Sequence, residues 1–570
     1  MAADANDLNQ RWEALRTKRS SWDVAWDDLS RHFLPFKFRS DMDSDAGRKP
    51  EILNKKIVDT TGILDMRTLA AGMQGGMTSP VRPWFKITLE DEEAAKQHEA
   101  GEWLDEVSRR MLTLLHNSNF YNSIHGLYAD LGTFGTALML ETADWTGLNF
   151  QLVRAGEYVL DVNDKNEVDT FFRRMLMSAR QILLRFGEQN VPEAVKNAAK
   201  NRNATAFDQR FEVIHGVFPR RDPVYGKLGG GNMPFASVYW MRFSDGGGKP
   251  HLLRESGFEE FPAFAPRWDV NGADVYGRSP AMDVLPDCRM LQAMNTTVVK
   301  MLHKNADPPV AAAAELKSVG VDLTPGGINY ISSADGRMSG VVPIQQISPQ
   351  SIQYTMQAIE GVQSKVHEGL FSDLFKMLIQ NDRRQITATE IEAREQEKLI
   401  LVGPVVERLH KELLSPVIER TYELMRRFDY LPPVPDSLAE VPLRVEFVSV
   451  LAQAQRMVST SGIDQTMAFV ANAAQIDPSV LDNIDFDKAV QHYVDDLGAP
   501  ASILRSEDAV QALREQRAQA QAQAQQQAEA AAAVQSVQDL SGAAKNLGQT
   551  PVGADGQTAM EAIIGGLGGL

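Results

Sequence analysis

The sequence predicts a multidomain, mainly helical α+β protein. Three observations carry that expectation. Two long amphipathic stretches, at 279–304 and 348–370, flank a compact block at 305–347. Between 136 and 270 the apolar period changes from 3.6 to 2 in short runs separated by turn residues. From Thr387 to about Phe428 the chain is helix-forming with only two Pro breaks. At 570 residues it is too long for a single hydrophobic core, so about three or four domains are expected.

Composition narrows the class. Hydrophobic content of 43% and charged content of 23% are those of a folded protein. The polar, acidic start argues against a signal peptide. The longest apolar run, Leu399–Val406, is interrupted by Gly403-Pro404 and is too short for a bilayer, so no membrane association is expected. A lone Cys288 leaves no internal disulfide and no cysteine zinc site. A net charge of −17 argues against a surface built to grip phosphate.

Taken in order, residues 4–34 read as a helix with an aromatic face of Trp12, Trp22, Trp26 and Phe33. Residues 37–50 read as a polar loop. A second amphipathic helix is expected over 51–76, a third over 92–116 and a fourth over 119–131, ended by Gly132 and Gly135. Strands follow at 137–140, 150–153, 158–162 and 170–177. A short helix at 178–186 leads to strands at 210–218, 235–243 and 249–255, with Asp245–Gly248 as a hairpin turn.

The two amphipathic stretches each open on Ser-Pro: Ser279-Pro280 and Ser348-Pro349. Ser accepts from the free N–H groups of a first turn, and Pro at the first helical position has no N–H to leave unpaired. Apolar residues recur at helical spacing from Val284 to Leu302 and again from Ile352 to Leu370, predicting rods of ~36 Å. The block between them is too small to bury a core alone and is expected to pack on copies of itself. After a short helix and the polar loop Gln380–Gln385, Thr387 and Glu390 form a capping-box pattern. The long helix it starts should kink at Gly403-Pro404 and Ser415-Pro416. A strand at 443–450 leads to helices at about 451–474, 478–482 and 487–497. The Ala/Gln-rich end is compatible with disorder or with a helical bundle shared between subunits.

No enzyme signature holds. There is no G-x-x-x-x-G-K-[ST] sequence to cradle a nucleotide. Gly229–Gly231 lacks the third glycine and following helix of a dinucleotide site. Asp41, Asp43 and Asp45 resemble a calcium loop, but Ala46 and Ile52 stand where Gly and Glu are required. His367-Glu368 opens a zinc-protease pattern that fails at Phe371. Gly277–Ala281 approaches a nucleophile elbow, yet Pro280 has no N–H for an oxyanion hole, so Ser279 reads as a cap. Metal ligands and cofactors are therefore not expected. The basic pair Arg383-Arg384 sits in a polar loop before a capped helix, and on its own reads as a solvated surface.

Several segments together resemble the portal (head-to-tail connector) proteins of short-tailed bacteriophages. They are LAAGMQGGMTSPVRPWF at 69–85, Asn119–Tyr121, Asp130–Thr136, Tyr276–Pro280, Asn305–Val310 and Ile386–Ile391. Gly403-Pro404 and Glu412–Pro416 follow in the same order. The resemblance covers roughly 50–430. It implies a ring-shaped homo-oligomer, typically of twelve subunits, around a DNA channel. Each subunit would have a wing (1–278), two stem helices (279–304 and 348–370) joined by a clip (305–347), and a channel loop with a long kinked helix (371–432). A crown (433–500) and an Ala/Gln-rich tail (501–570) complete it.

By the same resemblance Gln380, Asn381, Asp382, Arg383, Arg384 and Gln385 would form the loop that projects toward DNA. Double-stranded DNA would pass without sequence specificity. The implied partners are the terminase large subunit, major capsid and scaffolding proteins, a tail adaptor, and internal ejection proteins at the crown. The implied location is a capsid vertex of the virion, after synthesis in the host bacterial cytoplasm. The readings that compete with it are a hydrolase with a helical insertion, using Ser279 or a carboxylate pair, and a monomeric helical adaptor.

Overall fold

The computed structural model describes residues 4–35, 37–38, 57–89, 98–145, 147–200, 209–223, 229–244, 249–306, 310–311, 342–343, 348–380, 402–435, 442–449, 466–474 and 507–549, with isolated positions between 479 and 488. The chain divides into two units, Met1–Asp485 and Phe486–Leu570.

Helix α1 (Ala5–Phe33) starts on Asp4, whose side chain accepts from Asn6 N at 3.0 Å. Its aromatic face does two jobs. Leu8, Trp12 and Leu15 pack on Val159, Phe172, Ile214, Val238 and Trp240, one face of a five-stranded sheet. Trp26, Leu29 and Phe33 enter the main core. There the Trp26 indole donates to Phe134 O at 3.0 Å and meets the Tyr276 ring edge-on at 5.4 Å. One helix thus ties the sheet to the helical core.

Helix α2 (Thr61–Met77) begins ten residues later than the apolar pattern suggested. Ile57–Thr60 are not helical. The N–H groups of Val58 and Asp59 are taken by the Gln292 side-chain oxygen at 2.8 and 3.0 Å, which holds this segment outside the helix. Strand β1 (Phe85–Leu89) and helices α3 (His98–Asn117) and α4 (Phe120–Phe134) follow. Gly132 lies inside α4 and does not end it. A Cβ there would stand 2.9 Å from a Leu69 methyl and 3.0 Å from the Met66 sulfur, so the glycine lets α2 and α4 approach closely. Gly135, with φ of 76°, is the left-handed cap.

The β region is antiparallel throughout. Strands β2 (Leu138–Asp144) and β3 (Gly147–Val153) form a hairpin, and β9 (Ala263–Phe264) adds to the other edge of β2. The five-stranded sheet has the order β4-β5-β6-β7-β8. Its strands are β4 (Tyr158–Val162), β5 (Val168–Ser178), β6 (Arg210–Pro219), β7 (Phe235–Ser244) and β8 (Lys249–Phe258). Ser178 caps helix α5 (Ala179–Phe186) with a full capping box, and α6 (Glu193–Lys200) packs beside α5 over the sheet's second face.

Helix α7 (Pro280–Ala306), the bridge between β10 (Val310–Ala311) and β11 (Val342–Pro343), helix α8 (Pro349–Gly369) and helix α9 (Ser372–Gln380) come next. Helical residues 402–409 run through a π turn at His410–Leu414 into α10 (Ser415–Arg427). The π turn sits just ahead of Pro416, where a regular turn would clash with the ring and lack a donor. It also presents Glu412 to Arg267. That guanidinium is 3% exposed and donates to the carboxylate at 2.8 and 3.3 Å, with the Arg267 backbone N–H adding a third bond at 2.9 Å. Strand β12 (Leu443–Phe447) returns to pair with β1, Phe85 opposite Phe447.

In the second unit, helix α11 (Glu507–Gln549) is continuous over 43 residues, with its described side chains almost all exposed. Of the helices expected between 451 and 497, the longest described part is 466–474, which is helical.

Candidate functional site

The feature that departs from ordinary core packing is the α7–α8 pair. Helix α7 has 27 residues and α8 has 21, so they extend ~40 and ~32 Å. They are antiparallel. At one end, a Cβ on Gly369, the last residue of α8, would stand 2.3 Å from Val284 near the start of α7. At the other end, Val310 pairs with Pro343 and Ala311 with Val342.

Both helices begin on the expected serines. Ser348 Oγ accepts from Ser351 N at 3.3 Å, with Pro349 at the first helical position. Ser279 Oγ accepts from Met282 N at 3.2 Å and donates to Thr133 O at 2.7 Å. Its buried hydroxyl hydrogen is therefore committed to the end of α4, next to Gly135. This arrangement anchors a helix and does not prime a nucleophile. Pro286 lies inside α7, a helix-interrupting position that the periodicity concealed.

The inner half of the pair is seated in the core. Val284, Cys288 and Leu291 of α7, Ile359, Val362 and Val366 of α8, and Leu370 just after α8 are buried there. Burial, reinforced by Asp59, Asp287 and Asp65, pushes the Cys288 thiol up to about 12, so it stays protonated at neutral pH. Around this apolar base runs a polar socket. The Asp59 carboxylate accepts from Thr61 N at 3.0 Å and from the Asn295 amide at 2.9 Å. Gln292 donates to Asp59 O at 2.6 Å, and Gln363 donates to Thr61 Oγ1 at 3.2 Å. His367 Nδ1 and Asp65 Oδ2 share a hydrogen bond at 2.5 Å. The segment leading into α2 thus grips both long helices. Motif reasoning missed these residues, because the partners lie more than 200 positions apart and no spacing connects them.

The outer half is different. Leu302 and Met356 belong to the same apolar pattern, yet they are exposed, as are Val299 and Tyr354, the last at 72%.

Residues 5–504 match the family of bacteriophage head to tail connecting proteins. The chain belongs to that family. It is 35% identical over 513 residues to the "Probable portal protein" of Bordetella phage BPP-1, covering 90% of each. It is 36% identical over 532 residues to the "Portal protein" of Salmonella phage epsilon15, covering 92% of this chain and 93% of that one. Two solved structures are similar at low identity. The virion of a native gene transfer agent particle matches at 10% identity and TM-score 0.33, over 76% of this chain and 92% of that one. The neck of an empty gene transfer agent particle, computed with C6 symmetry, matches at 11% and 0.35, over 80% and 94%.

In this connector-family chain, Gln380 is the last residue of α9. Asn381, Asp382, Arg383, Arg384 and Gln385, with Thr387 and Glu390 of the expected capping box, lie outside the described residues. Among the described residues, no group of three or more His, Cys, Asp or Glu is placed to hold a metal ion. No described helix is long and apolar enough to cross a membrane.

Proposed function

We propose that this chain builds the ring-shaped channel at one vertex of a phage capsid, through which double-stranded DNA is packaged and later ejected. The observation that carries the reading is the similarity to two portal proteins along nearly the whole of each chain. The α7–α8 pair serves as the stem, with 305–347 as the clip at its tip. Residues 1–278 are the wing, 371–432 the channel loop and long helix, and 433–500 the crown. The terminase docks at the clip during packaging and the tail adaptor docks there afterwards. Capsid and scaffolding proteins surround the ring, and internal ejection proteins meet the crown. ATP hydrolysis belongs to the motor and not to this chain.

The exposed apolar residues on the outer stem support a subunit that is completed by neighbours. In a ring of typically twelve copies, Val299, Leu302, Tyr354 and Met356 would be covered by the adjacent stem. Charge supports the conduit. Each basic side chain that neutralises a phosphate releases counterions and adds affinity, so a channel with many such contacts would hold DNA fast. A chain at −17 with few channel cations lets the duplex slide. Arg383 and Arg384 are the cations assigned to the constriction. Changing both to Ala should alter packaging yield or retention of packaged DNA, and unchanged values of both would remove the loop from the mechanism.

A further inference from the structure

The β2–β3 hairpin ends in a two-residue loop, since Asp144 pairs directly with Gly147. Tight hairpin loops favour Gly, Asn and Asp, which tolerate the backbone conformations required. This loop instead carries Trp145, which is 93% exposed. A bulky indole where Gly, Asn or Asp would suit the turn better gains nothing from its own hairpin, so its presence points to a contact outside the chain. Trp is also among the side chains that most often dominate interface energetics.

A receptor for it lies elsewhere on the same subunit. A cavity of about 250 Å³ is lined by Trp22, Asn271, Asp274, Tyr276, Arg278 and Met282. It is smaller than the ~300–1,000 Å³ typical of metabolite and cofactor sites, and suits one large side chain. Its chemistry matches an indole. Trp22 and Tyr276, with ring centroids 5.9 Å apart, offer aromatic walls, and Met282 offers a polarisable apolar one. Arg278, paired with Asp283 at 2.7 Å, borders the recess, and Asp274 or Asn271 can accept an incoming indole N–H.

The two features cannot meet within one chain. The cavity segment is fastened by the bridges of Thr136 to Arg267 and Asp269 to Arg278, at the start of β2. Trp145 is at the far end of that strand, ~30 Å away at the rise of an extended chain. A projecting group at one end and a complementary recess at the other is what a ring demands, because each subunit must join its neighbour through two different patches. We infer that Trp145 of one subunit inserts into the Trp22–Tyr276–Met282 cavity of the next. This inference rests on the ring proposed above.

The test uses the full-length chain with Trp145→p-benzoylphenylalanine, irradiated after assembly and mapped by mass spectrometry, alongside Trp145→Ala. Neither change touches Cys288, and both leave the fold intact, since Trp145 is 93% exposed among the described residues. Two results are expected together. Adducts join position 145 to Trp22 or to residues 271–282 of a neighbouring copy. The Ala variant needs roughly tenfold more protein to form rings, the scale of a lost interface anchor. Rings that form without such adducts, or at unchanged concentration with Ala, overturn the inference and leave the ring standing. If the unaltered chain forms no rings, the functional reading falls and this contact falls with it.

Discussion

Gly369→Ala probes the seating of the stem in a way that ordinary helix rules would get wrong. In an exposed helix the change is favourable by up to ~1 kcal/mol. Here the new Cβ would stand 2.3 Å from Val284 Cγ1, over an ångström inside the ~3.5–4.0 Å optimum for carbon atoms. Val284 is buried and β-branched, so it has few rotamers to escape into. Overpacking of this kind costs ~1–3 kcal/mol, which offsets the propensity gain and leaves a net loss of up to ~2 kcal/mol. Val284→Ala alone should cost ~2 kcal/mol for two lost methyl groups and the space they leave. In the double variant the clash disappears, so its cost should fall below the sum of the two by ~1–3 kcal/mol. Urea midpoints followed by far-UV circular dichroism on all four proteins measure this. A raised midpoint for Gly369→Ala, with effects additive to ~0.5 kcal/mol, would show that the two helix ends do not touch.

Other consequences are as definite. Burial raises the Asp130 carboxyl from the ordinary 3.8 to about 6, against the opposing pull of Lys37 at 3.2 Å. The folded state then holds its proton more tightly than the unfolded state. Stability from this group is intact below about pH 4 and is lost as pH rises through about 6, by ~3 kcal/mol at ~1.36 kcal/mol per pH unit. Asp130→Asn should flatten that segment of the stability profile, and an unchanged slope between pH 4 and 6 would refute the assignment. Glu412→Ala strips the buried Arg267 of its carboxylate and should cost ~3–5 kcal/mol, read as a lowered Tm. An unchanged Tm would mean that the π turn is not held by this pair.

Local rules reached as far as local forces decide the outcome. The alternating runs at 158–162, 170–177, 210–218 and 235–243 became β4 to β7, because both faces of that sheet are covered and register follows the apolar pattern. The serine caps at 279 and 348 were legible because capping is settled within three residues. Errors arose where distant groups intervened. Ile57 and Val58 fit a helical face, but Gln292 takes the neighbouring backbone donors. Gly132 reads as a helix end, yet it is there to admit Leu69 and Met66. The Asp59–Gln292–Asn295 socket and the Arg267–Glu412 pair are products of the tertiary fold, and no spacing announces them. The exposed Trp145 was visible in the sequence as an aromatic between two strands, but its significance depends on knowing that it is exposed among the described residues.

The central claim is that the chain acts as a ring around DNA. Negative-stain imaging of the purified full-length protein, with its mass measured in solution, tests it most directly. The account predicts ring-shaped particles with a central hole and a mass near twelve times the 63.1 kDa chain. A stable 63.1 kDa monomer at assembly concentrations would contradict it.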